Sequence, residues 1–180
     1  MRKGTRTEHP WLIDREQFKT DYTGYLDRRR THLYVLEIAS GVLTQITSGD
    51  YDDSEPAWSP DGSLIAFTSN RTQSPDTNYN TDIWVVNSTP AEDSAELVQV
   101  SNSPGPDASP AWSPDGKLIT HTSATDTSAM LYATQHLAVS AARGGETRVL
   151  TNELDRMIFK PEFSGDGRQI WFVLEDSGEQ

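Results

Sequence analysis

The 180-residue sequence predicts an all-β fold, a partial β-propeller of four-stranded antiparallel blades, and three observations carry that expectation. The first is a recurring phrase. Residues 56–67 read PAWSPDGSLIAF, residues 110–120 read PAWSPDGKLIT, and residues 161–171 read PEFSGDGRQIW. Trp58 and Trp112 lie 54 residues apart, and Trp112 and Phe163 lie 51 apart. A chemically specific repeat at that period marks a radially repeated β architecture. The second is the absence of a sustained 3.6-residue apolar stripe, so almost no helix is expected. The third lies in the strands. In DIWVVN, Ile83 and Val85 point one way while Trp84 and Val86 point the other. Strands apolar on both faces belong to sheets covered on both sides, as a blade is by its two neighbours.

The elements follow in order. HLYVLEI (32–38) and VLTQIT (42–47), joined across Ala39-Ser40-Gly41, read as a β-hairpin. That hairpin supplies the last two strands of a blade, whose first two would come from residues 11–25, where the pattern is weak. The best-formed unit has strands at 55–59, 63–69, 81–87 and 95–101. The next has them at 109–113, 117–123, 130–139 and 146–151, with 138–142 ambiguous between strand and helix. A last unit begins with 160–164 and 168–174. One domain spanning 1–180 results, with blades at about 11–47, 55–101, 109–151 and 160–180 (incomplete), about three and a half in all. Propellers usually have 4–8 blades. The chain is therefore expected to be a piece of a longer polypeptide, or to self-associate through open blade edges.

The repeated tetrapeptide is a turn with a mechanism. Pro60 and Pro114 preset φ for the second turn position, Asp61 and Asp115 can bond their own backbone, and Gly62 and Gly116 take the left-handed conformation. The aromatic before each turn, Trp58 or Trp112, can bury a large ring between blades. In the third copy Phe163 replaces tryptophan and Gly165 replaces proline, while Asp166 and Gly167 remain, so a looser turn is expected. All of these residues read as fold chemistry, and none is a candidate for catalysis.

Composition narrows function. Fifteen basic against 27 acidic residues give a formal net charge of −12, which argues against nucleic acid or an anionic membrane as partner. No apolar run approaches the length of a membrane span. With no cysteine, disulfides and thiolate metal sites are excluded. The N-terminus lacks the apolar core of a signal peptide, which leaves both the bacterial cytoplasm and the periplasm open. The acidic group Asp50, Asp52, Asp53 and Glu55 lacks the spacing of a calcium loop. His9, His32, His121 and His136 lack zinc-site spacing, and His121 reads as a packed strand residue. No metal or cofactor is expected. The remaining candidates for contact with a peptide or another domain are Arg28, Arg29 and Arg30, together with Arg71 at the head of the polar loop 71–81.

The phrase P-x-W-S-P-D-G-x-x-I-x-F resembles the repeat of the TolB-like β-propellers, and equally that of the N-terminal propeller of the prolyl oligopeptidase family. Residues 24–71 are similar to the acylaminoacyl-peptidase/dipeptidyl-aminopeptidase branch of that family. The points of likeness are GYLDRRR followed by HLYV, SG-x-x-x-Q-IT before GDYDD, and TSNR after the second strand. The resemblance covers about residues 18–174. It implies a propeller that covers an active site and filters substrates by size. It also implies a C-terminal α/β-hydrolase domain, with a Ser-Asp-His triad and a G-x-S-x-G elbow, and oligopeptide substrates. No such elbow occurs here; Ser63 after Gly62 and Ser164 before Gly165 sit in the repeated turns. This stretch alone is then expected to be inert. The alternative implied is a non-enzymatic, TolB-like protein-interaction module of the bacterial periplasm.

Overall fold

The structure, a computed structural model, describes residues 12–89, 96–129 and 132–175. Within them lie 14 strands in five antiparallel sheets. Two sheets are complete blades. The first orders β5 (Asp53–Trp58), β6 (Leu64–Ser69), β7 (Asp82–Asn87) and β8 (Leu97–Gln99). The second orders β9 (Asp107–Trp112), β10 (Leu118–Ser123), β11 (His136–Ala141) and β12 (Arg148–Val149). On one side stands the half blade β3 (Tyr34–Leu36) and β4 (Leu43–Gln45), and on the other the half blade β13 (Ile158–Phe163) and β14 (Ile170–Leu174). A small hairpin, β1 (Lys19–Thr20) and β2 (Gly24–Tyr25), forms a sheet of its own. It is not bonded to β3, so the first two strands of a blade sought in residues 11–25 are a separate hairpin (Trp11 lies outside the described residues). The described residues hold little helix: a 3-10 turn at Pro75–Thr77 and 3-10 backbone at Tyr132. The ambiguous stretch at 138–142 lies largely in β11.

The repeat carries three bonding devices, one across the joint between blades and two within each blade. The first is a backbone bond across the joint: Asp53, Asp107 and Ile158 N–H donate to the carbonyls of Thr31, Thr81 and Gln135 at 2.9, 2.7 and 3.1 Å. The second is a hydroxyl past the outermost strand. Thr47, Ser101 and Thr151 Oγ accept the N–H of Leu33, Ile83 and Leu137, each at 2.9 Å, satisfying a backbone donor beyond the end of the ladder. The third is the turn. Ser59, Ser113 and Ser164 Oγ each donate to the aspartate two residues on at 2.7 Å and accept the N–H five residues on. The glycine-bearing third turn keeps the full set, so the loss of proline does not change its bonding.

The turns also stack. A Cβ on Gly116 would stand 3.8 Å from Pro60 Cδ, and one on Gly167 3.5 Å from Pro114 Cδ. Proline therefore sets one turn and supports the next. Innermost strands carry a bulge where Glu55, Ser109 and Lys160 adopt φ of 51°, 56° and 49°. Left-handed backbone at a non-glycine residue costs about 1–2 kcal/mol. Part of this is offset at the first bulge, where the Glu55 carboxylate accepts the N–H of Ser109 at 2.8 Å and the Thr68 hydroxyl at 2.9 Å. The bulge also explains why the first strands begin two residues earlier than the sequence pattern suggests: it interrupts the alternation.

Two cores lie between blades, as the doubly apolar strands require. Ala66, Ile83, Val85 and Val100 pack with Ile119 and Ala142 of the following blade. Ile65, Phe67 and Val86, on the opposite face, pack with Leu33 and Ile46 of the preceding half blade. Full burial of side chains such as Phe67 and Ile83 contributes roughly 1.5–3 kcal/mol each. Trp112 packs partly buried against the core between the two complete blades, its Nε1 donating to the Ala57 carbonyl at 2.9 Å. Trp58 does not: it is 52% exposed, because the half blade before it offers no innermost strand to rest on among the described residues.

Candidate functional site

The arginine run divides into two kinds of residue. Arg28 pairs with Asp14, and Arg29 Nε meets Asp27 at 2.6 Å; both side chains are largely exposed. Arg30 turns inward instead, 11% exposed, with Nε 2.7 Å from Asp50 and Nη1 3.0 Å from Asp52. The Arg30 guanidinium holds the Asp50 carboxyl below its usual range. Burial pushes Asp52 upward, but the Thr31 N–H and Arg30 outweigh it and leave Asp52 low as well.

Arg71 is also interior. Its guanidinium lies 2.7 Å from the buried Asp53 carboxylate and within 4.9, 5.5 and 5.7 Å of the Tyr51, Phe67 and Trp84 ring centres. His32 Nδ1 stands 3.4 Å from the other Asp53 oxygen. The acidic group of residues 50–55 is therefore occupied by the chain's own donors. Among the described residues no cluster of three His, Cys, Asp or Glu side chains could hold a metal ion.

The polar loop after Arg71 is tied to itself. Asn70 Nδ2 donates to Asn78 Oδ1 at 2.9 Å, and its Oδ1 accepts from Thr72. Asp76 binds Arg15 at the loop's tip, where Nη2 approaches to 2.5 Å. A cavity of about 180 Å³ lies here, bordered by Arg15, Arg30, Tyr51, Asp76 and Tyr79. A larger groove of about 590 Å³ runs between the two complete blades on the turn side, lined by Pro60, Asp61, Val98, Trp112, Asp115 and Arg143. Asp61 is held near 2 there by the Ser59 hydroxyl and the Ser63 N–H, so the groove presents fixed negative charge.

One constellation escapes a motif search. His121 Nε2 lies 2.9 Å from Ser140 Oγ, and its Nδ1 lies 4.0 Å from Asp107, which gives an Asp–His–Ser line. The chemistry of a triad does not follow. All three residues are buried. Nδ1 is 3.1 Å from the Thr122 carbonyl, the partner for its proton, and Ser140 Oγ is shared with Thr147 at 2.9 Å. Burial pulls the His121 pKa down, against the pull of Asp107, so the imidazole is neutral and acts as a packed strand residue.

No family model matches the chain. Over 69 residues it is 29% identical to YuxL of Bacillus subtilis (strain 168), described as an uncharacterized peptidase; the match covers 38% of this chain and 10% of that protein. Among solved structures, TolB from Acinetobacter baumannii superposes with a TM-score of 0.57 at 19% identity, over 82% of this chain and 33% of that one. A putative TolB from Agrobacterium tumefaciens gives 0.58 at 22% identity, over 81% and 50%. A structure from a study of two prolyl endopeptidases gives 0.56 at 16% identity, over 84% and 24%. At these identities the likeness is one of fold: the chain is a partial, TolB-like β-propeller. It spans between a tenth and a half of the length of these proteins.

Proposed function

We propose that this segment is the substrate-gating propeller of a serine peptidase acting on oligopeptides, with hydrolysis carried out by an α/β-hydrolase domain outside these residues. The observation that carries the reading is the 69-residue match to a peptidase. The site chemistry agrees with it. Asp107, His121 and Ser140 come together buried and committed to the fold, so on this reading the reactive serine belongs to the hydrolase domain. Of the four arginines, Arg28 and Arg29 keep their side chains exposed although paired with Asp14 and Asp27, and these two would meet a peptide carboxylate or the hydrolase surface; Arg30 and Arg71 are turned inward in their ion pairs. A second reading, a non-enzymatic interaction module, is favoured by the two TolB structures among the fold neighbours.

The full gene product decides between them. Treated with a fluorophosphonate probe, it is expected to acquire one adduct, mapped by mass spectrometry to a serine outside residues 1–180. Hydrolysis of short chromogenic peptides is expected to be lost with the labelling. A full gene product that takes no adduct, cleaves no peptide and retains an envelope protein partner contradicts the peptidase reading.

A further inference from the structure

The joint between the two complete blades is built differently from the joint before it. At the earlier joint, His32 at the start of one strand faces Asp53 at the start of the next blade, and the Arg71 guanidinium completes the group. The corresponding positions at the later joint are Asp82 and Asp107, fixed by the same backbone bond, Asp107 N–H to Thr81 carbonyl. The place of Arg71 is taken by Thr125. The cation is gone and the histidine has become a second acid. Both carboxylates are buried, Asp82 at 4% and Asp107 at 0% exposure. Among the described residues, neither Asp107 oxygen has a hydrogen-bond partner, and Asp82 Oδ1 has none.

A lone buried carboxylate is costly, and two adjacent ionised ones are costlier. We propose that Asp82 and Asp107 hold a proton between them and that this proton latches the two blades together, so that the joint loosens when it leaves. Among the described residues, the groups facing the pair offer no other neutralising charge. Gln99 from β8 donates a neutral amide to Asp82 Oδ2 at 3.0 Å. Ser69 of β6 stands opposite Asp82, and Ser123 of β10 opposite Asp107, in the strand register. His121 of β10, 4.0 Å from Asp107, is kept neutral by burial. Burial first, and then Asp107, raise Asp82 to about 7, so the proton leaves within the physiological range. The sign follows: the folded state binds the proton more tightly than the unfolded chain, so stability declines as pH rises from the ordinary carboxylate range to about 7 and is level above it. The inference does not depend on whether a hydrolase domain is attached.

Hydrogen exchange with an internal control tests it. After correction for intrinsic rates, protection of the Asp107 amide is expected to fall by at least about tenfold between pH 5.5 and 8.5. The Asp53 amide, at the joint closed by arginine, is not expected to follow. Asp82→Asn and Asp107→Asn are each expected to flatten the Asp107 profile. Carbon-13 carboxyl shifts of the unmodified chain supply a reading that needs no variant, with one of the two carboxyls protonated at pH 5.5. Equal pH dependence at both joints, or both carboxyls ionised at pH 5.5, overturns the proposal. Restoration of protection at pH 8.5 by added calcium ion alone also overturns it, in favour of a bound cation.

Discussion

Arg71 shows what one side chain can do for a blade joint. Its charge neutralises a carboxylate with no solvent exposure, and its flat face lies among three aromatic rings, an arrangement that lysine's point charge does not reproduce. Removing one partner of a buried pair leaves an uncompensated charge, which costs about 3–5 kcal/mol. Arg71→Ala is therefore expected to lower the urea midpoint strongly, and Asp53→Asn in the same chain to recover much of the loss. Equal stability of Arg71→Ala and the parent chain would show that the pair is not structural. At this scale the sequence was only partly legible. Arg71 stood out as a polar loop residue, yet nothing local revealed that Asp53, 18 positions earlier, would claim it. The acid pair of the later joint was less visible still. Its signal lies in aligning the repeats: His32, Asp82 and His136 share one place, and Asp53, Asp107 and Ile158 share another.

Among the elements, the turns and innermost strands carry the repeat's meaning. The serine, proline, aspartate and glycine of each turn were readable because each has a local mechanism. The stacking of one turn's glycine on the preceding turn's proline was not, since it joins residues 56 and 53 positions apart. The bulges at Glu55, Ser109 and Lys160 were also hidden, because no glycine marks them. The two tryptophans make the clearest contrast. Identical in sequence context, they differ in what precedes them: Trp112 meets Ala57, and Trp58 is half exposed. In urea titrations, Trp112→Ala is expected to cost about 2–3 kcal/mol, from partial burial and the cavity left behind. Trp58→Ala is expected to cost less than about 1 kcal/mol. Similar losses at both positions would mean that Trp58 is covered in solution.

For the molecule as a whole, the repeat specifies an arc of blades and places both cores between them. The fold was legible because a long period, doubly apolar strands and turn chemistry all agreed. Function was less legible, because the fold is common to structures named TolB and prolyl endopeptidase, and turn and packing residues specify that fold alone. What this arc is proposed to contribute is a size filter, and substrate length reads that most directly. Rates of hydrolysis by the full gene product should be measured on peptides of one sequence context and increasing length. If the arc is a size filter, kcat/KM falls steeply beyond a limiting length, and that limit is lost when the propeller is opened by Arg71→Ala. A rate independent of length, or a limit that Arg71→Ala leaves in place while measurably loosening the blades, would contradict it.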